Sequence, residues 1–189
     1  MKFKNIILIG TILISVLVSC QKNNNSINEV FPNTNQLILF KVEYTNYAWG
    51  YSHSGILIDS SGNVGYFKYP KNWYSIDTSG YISESEMNYN ISQIDSFYLT
   101  VDRNTLLRNF NLVQYAAAGE ISKATSSGAD MGETVYSAFL YDTVAGKYKH
   151  VLINQSGDWS RNNKSPEAKQ LFQWLGATYL IVQKKVAGQ

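Results

Sequence analysis

The chain contains one cysteine, Cys20, among 189 residues. No second thiol is present to staple the fold, so an intrachain disulfide framework is excluded and the core must hold by packing alone. With 44% hydrophobic residues overall, the stretch from 36 to 189 is long enough for one domain around one core. It shows neither an internal repeat nor a second linker.

Hydrophobic periodicity then sets the fold class. Within residues 37–44, Ile38, Phe40, Val42 and Tyr44 alternate with Leu39, Lys41 and Glu43, a period of two that predicts a strand turning amphipathic toward its end. Residues 55–59 and 64–69 flank the polar stretch Ser60, Ser61, Gly62 and Asn63, which predicts a hairpin. Pro70 closes it, because proline cannot donate to a sheet ladder. Ser83 and Glu86 have the spacing of a capping box and predict a short helix to about residue 89. Residues 97–101 read as a strand. Asp102 is placed to cap a longer helix with Leu106, Phe110, Val113 and Ala117 on one face and Gly119 at its end.

Residues 128–132 read as a loop, and 135–141 with 148–154 as a second hairpin turning near Ala145 and Gly146. Ser165, Pro166 and Glu167 mark another helix start, since the serine oxygen accepts from free amides and proline at the first helical position loses no hydrogen bond. Ala168, Leu171, Phe172 and Leu175 line one side, Gly176 is expected to end the helix, and residues 178–182 read as a last strand. The order of elements predicts an α+β fold, with an antiparallel or mixed sheet and two to three helices packed on one face.

The N-terminus carries an address. Lys2 and Lys4 precede an uncharged apolar run of thirteen residues, 6–18, where a helix needs about 20 to cross about 30 Å of hydrocarbon. This is the layout of a secretory signal rather than a permanent span. Leu17, Val18, Ser19 and Cys20 complete it, and the segment resembles the lipobox of bacterial lipoproteins. The resemblance implies a signal peptide over 1–19, cleavage before Cys20, diacylglycerol on its sulfur and an acyl chain such as palmitate on the new amino group. Several acyl chains anchor stably where one is marginal. Gln21, in place of the aspartate that retains lipoproteins at the inner membrane, implies the outer membrane in a cell that has two.

Residues 21–35 hold six Asn in fifteen positions, so 20–35 reads as a lipidated tether ahead of a single domain over 36–189. The chain has 16 basic and 14 acidic residues, and loss of Lys2 and Lys4 with the signal leaves 14 of each. A basic footprint for nucleic acid is therefore absent, and nucleic acid is not an expected partner. Within the domain, the stretch Asn46, Tyr47, Ala48, Trp49, Gly50, together with Ala129 to Gly132, Gly157-Asp158, Ser165 to Ala168 and Trp174-Leu175, resembles small exported bacterial proteins of unassigned function. That resemblance spans most of residues 40–176, implies one domain and carries over no catalytic residue.

Candidate chemistry is sparse. His53 and His150 are the two imidazoles. Ser52, His53 and Ser54 invite a serine-nucleophile reading, yet neighbours on a strand alternate between faces, so Ser52 and His53 point apart. No Gly-x-Ser-x-Gly elbow is present. Residues 59–63 and 154–158 have some of the polar spacing of calcium loops but lack the regular ligands and closing glutamate of an EF-hand, and read as polar turns. No catalytic residue, metal ligand or cofactor is assigned.

The unusual feature is aromatic content, with 14 Tyr, 4 Trp and 8 Phe. Tyr and Trp offer a large apolar face with a polar handle and favour binding surfaces, although aromatic residues also fill sheet cores. The expected ligand site comprises Trp49, Tyr51, His53, Trp73 and Tyr74, with Asp130 and Asp158 in Gly-containing loops. These readings add up to a membrane-anchored, non-catalytic binding domain for an envelope protein or saccharide. The rivals are an envelope hydrolase using His53 or His150 with a carboxylate, and an inhibitor or immunity protein.

Overall fold

The structure is a computed structural model that describes Pro32 and residues 35–188. Cys20, the expected signal segment and most of the expected tether lie outside the described residues. In chain order the elements are β1 (Ile38–Asn46), β2 (Ser52–Asp59), β3 (Asn63–Lys68), β4 (Tyr81–Ser83), α1 (Glu84–Ile91), β5 (Ser96–Thr100) and α2 (Arg103–Ala117). They continue with β6 (Thr125–Ser126), β7 (Glu133–Asp142), β8 (Lys147–Gly157), β9 (Trp159–Asn162) and α3 (Pro166–Ala187). The strands form one antiparallel sheet in the order β5-β3-β2-β1-β7-β8-β9-β6, and β4 pairs with the start of β8. The α+β class with an antiparallel sheet is the one the residue pattern predicts.

Alternation along the central strands builds two cores, one on each face of the sheet. Phe40, Val42, Ile56, Ile58, Val64, Ala138, Val151 and Ile153 point to one side, where α2 and α3 cover them with Leu106, Phe110, Val113, Leu171, Leu175 and Val182. Phe40 meets the edges of Trp174 at 4.9 Å and Phe110 at 6.4 Å, so its ring stands between the two helices. A bulge between Ile38 and Phe40 turns Leu39 into the same core. On the opposite face a smaller core of Ile38, Leu57, Phe67, Ile82, Met87, Phe139 and Tyr148 lies under α1 and residues 73–76. Two of the three described helices thus share one face.

The caps read from the sequence are in place. Ser83 and Glu86 bond reciprocally, the Asp102 side chain accepts from the Thr105 amide, and the Ser165 side chain accepts from the Ala168 amide. Asn163 then locks the helices to the sheet. Its amide donates to the Ala116 carbonyl at 2.7 Å and the Leu152 carbonyl at 3.1 Å, and its oxygen accepts from the Ser165 amide.

Three expectations are corrected. Gly176 does not end α3, and residues 178–182 are helical rather than a strand. Leu171, Leu175, Thr178, Tyr179 and Val182 stay buried at helical spacing. Glycine in a helix interior costs about 1 kcal/mol, less than the roughly 1.5–3 kcal/mol available from burying one large apolar side chain. Residues 154–157 are strand rather than polar turn, because the start of β7 pairs with them. At the corner where β8 ends, Gly157 has φ +131° and a Cβ there would meet the Gly132 carbonyl oxygen at 2.0 Å. The strands β4, β6 and β9 were not predicted.

Candidate functional site

Antiparallel pairing brings the end of β1, the start of β2, the end of β3, the start of β7 and the end of β8 to one edge of the sheet. The residues that leave these strands therefore gather there. Asn46 shapes the β1–β2 connection by accepting from the Ala48 amide at 2.8 Å, while its own amide donates to the Asp130 carbonyl at 3.2 Å. Asp158 joins the same corner, its carboxylate accepting from the Met131 amide at 2.8 Å. Sequence alone did not bring Asp130 and Asp158 together, and the structure places both beside the 46–51 turn.

The turn exposes its aromatic rings. Tyr47 is 74% exposed, Trp49 83%, Tyr51 47% and Tyr69 53%. Tyr51 sits between Tyr47, at 5.6 Å and 41°, and Tyr69, at 6.4 Å and 52°, so the three rings form a curved ridge. Tyr69 has φ +50°, a left-handed backbone that is rare for a bulky side chain. Its amide is held by the His53 carbonyl at 2.7 Å. Such strain persists where surrounding structure imposes it, and it clusters at ligand clamps.

Beneath the ridge runs a row of polar side chains. The Tyr51 hydroxyl is 2.8 Å from His53 Nδ1, and His53 Nε2 is 2.7 Å from Glu43 Oε1. The other Glu43 oxygen accepts from Lys41 Nζ. His53 and Lys41 are buried, and Lys41 Nζ lies 5.8 Å from the centre of the Trp73 ring. Burial alone would raise the Glu43 carboxyl, but the Lys41 charge and the hydrogen bonds from His53 and Lys41 hold it down at about 2. Burial, then Tyr47 and Glu43, raise the Tyr51 phenol above its ordinary value.

Two further polar groups, a pair and a triad, flank this row. His150 Nε2 is 2.8 Å from the buried Ser137 hydroxyl, and burial, then the nearby Lys41 charge, lower the His150 imidazole to about 4. Gln155 joins Glu133, to which its amide donates, with Arg161, which donates to its oxygen at 2.7 Å.

Of the residues expected in a ligand site, Trp49 and Tyr51 stand on the exposed edge, with Asp130 and Asp158 at its corner. His53 lies just below it. Trp73 turns inward, stacked on Phe67 at 4.2 Å and edge-on to His53 at 5.2 Å. Tyr74 belongs elsewhere, tied to Asn90 and edge-on to Tyr89 of α1. Sequence reasoning missed the roles of Lys41 and Glu43. The available signal was two opposite charges two residues apart on a strand, which share one face, but nothing local shows that residues 69–80 cover that face.

Among the described residues no group of three or more His, Cys, Asp or Glu is arranged to hold a metal ion. No described helix, the 22-residue α3 included, is long and apolar enough to cross a membrane. No protein-family model, curated protein or solved structure matches this chain.

Proposed function

We propose that this chain is a lipid-anchored protein of the cell envelope whose domain binds a saccharide through the aromatic ridge. The anchor rests on the signal layout and on Cys20 standing where a lipobox needs it. The binding reading is carried by one observation: Tyr47, Trp49, Tyr51 and Tyr69 stand exposed together at one edge of the sheet. Scattered exposed apolar residues need no explanation, but a cluster rimmed by polar groups marks an interaction surface. Asn46, Asp130 and Asp158 lie at the same corner of the sheet, linked through the Asp130 carbonyl and the Met131 amide, and are polar groups of the kind a polyol needs beside an apolar face.

A glycan array probed with the purified full-length chain in detergent tests this reading. Saturable binding is expected, weakened fivefold or more in Trp49→Ala and Tyr47→Ala, since ring truncation at a binding centre costs more than about 1 kcal/mol. A blank array with a protein captured through the same rings would replace the saccharide by a protein partner. Mass spectrometry of the native protein checks the anchor, and an unmodified residue 20 still joined to residues 1–19 would remove it.

A second reading, an envelope hydrolase, is favoured by the carboxylate of Glu43 at His53. The order Tyr51, His53, Glu43 matches that of a nucleophile, a base and the group that orients the base. The raised Tyr51 phenol argues against it, because a nucleophile is activated by being easier, not harder, to deprotonate. Turnover of an envelope substrate that His53→Ala abolishes would establish the second reading over the first.

A further inference from the structure

The polar row below the ridge fixes which way the Tyr51 hydroxyl can speak to a ligand. Glu43 is ionised, paired with Lys41, and an ionised carboxylate has no proton to offer. Across the 2.7 Å contact His53 Nε2 must therefore be the donor. In a neutral imidazole with its proton on Nε2, Nδ1 is bare and accepts. The Tyr51 O–H then donates inward to Nδ1 at 2.8 Å, leaving only lone pairs of its oxygen facing solvent. An ordinary exposed tyrosine turns its hydroxyl to donate or to accept as needed.

We propose that Tyr51 is the polar anchor of the ridge, an acceptor-only hydroxyl set by His53 and Glu43, and that it selects neutral ligands which donate a hydrogen bond from a hydroxyl group. This deepens the saccharide reading and rests on it. Charge decides between hydroxyl and ammonium donors. Aromatic rings also attract cations, but Lys68 Nζ already stands 5.1 Å from the centre of the Tyr69 ring. A ligand ammonium would meet a neighbouring cation, whereas a sugar hydroxyl would meet a fixed acceptor flanked by apolar ring faces.

Two measurements on the full-length chain in detergent test this. Nitrogen-detected NMR of His53 is expected to show the proton on Nε2 with Nδ1 bare, and a proton on Nδ1 overturns the proposal whatever binds. Calorimetric titration with cellopentaose and chitopentaose, each free and per-O-methylated, reads the ligand side. O-Methylation keeps the sugar oxygens as acceptors and removes every O–H donor, leaving only the acetamide N–H groups of chitopentaose. The free sugars are expected to bind and the methylated ones to be lost, and Tyr51→Phe, which keeps the ring, is expected to weaken the free sugars about fivefold, the loss of one neutral hydrogen bond.

Equal binding by wild type and Tyr51→Phe overturns the anchor while leaving the ridge as a saccharide site. Binding of neither pentasaccharide by the wild type overturns the neutral-hydroxyl class. The broader saccharide reading falls separately, on a blank array.

Discussion

Tyr69 carries the clearest single-residue tension in the molecule. Its φ of +50° places a ring-bearing residue in the left-handed region, at a cost of roughly 1–2 kcal/mol. What holds it there is the register of β2 and β3, which ends at Lys68 against Ser54 and leaves the Tyr69 amide to the His53 carbonyl. Because the strain belongs to the backbone, two truncations of the same ring should differ. Tyr69→Gly removes ring and strain together, whereas Tyr69→Ala removes the ring and keeps the strain. Chemical denaturation is expected to find the glycine variant about 1 kcal/mol more stable than the alanine variant, with both equally impaired in saccharide binding. Equal stability would mean that the backbone at 69 relaxes once the ring is gone.

At the scale of elements, α3 shows where local signals stop. The N-terminal half was legible, because Ser165, Pro166 and the stripe of Ala168, Leu171 and Leu175 are local signals of a capped amphipathic helix. The C-terminal half was not, because Gly176 and the β-favouring residues 178–182 carry the opposite local message. The stripe continuing through Thr178, Tyr179 and Val182 decides the matter only once the sheet that buries it exists. The short strands β4, β6 and β9 escaped for the same reason, as each is defined by a distant partner rather than by its own pattern.

The candidate site divides likewise. Its aromatic clusters could be read from composition, but whether a ring faces solvent depended on whether it follows a strand end, as Trp49 does, or turns inward onto the sheet, as Trp73 does against Phe67 and His53. Gly176 itself is now a target. A Cβ there has open space, with nothing within 4 Å, so Gly176→Ala is expected to raise stability by about 0.5–1 kcal/mol in thermal or denaturant unfolding. A loss of stability would show that the helix bends at this point and needs the glycine.

For the molecule as a whole, the buried polar face makes the fold sensitive to acid. His150 has an ordinary value of 6.5 and stands at about 4 in the fold, because burial first, and then Lys41, disfavour its cation. Between those two values the unfolded chain binds more protons than the native one, so stability rises with pH. The contribution is complete above about 6.5 and is lost as pH falls toward 4. Glu43 acts in a second, lower window, its ordinary value of 4.5 falling to about 2. Lys41 and His53 favour its ionised form more strongly than burial opposes it, so that contribution is lost as pH falls from 4.5 toward 2.

The two windows can be separated because they barely overlap. Thermal unfolding of the wild type should be flat in the neutral range and decline below about pH 6.5, with the His150 share worth roughly 1–3 kcal/mol once its partial contact with solvent is allowed for. In His150→Gln the decline between 6.5 and 4 should shrink by that amount, while the steeper loss below 4.5 persists. If the two proteins lose stability in parallel through the upper window, His150 is solvated in the native state, and the face beneath residues 69–80 is open to water rather than sealed by them.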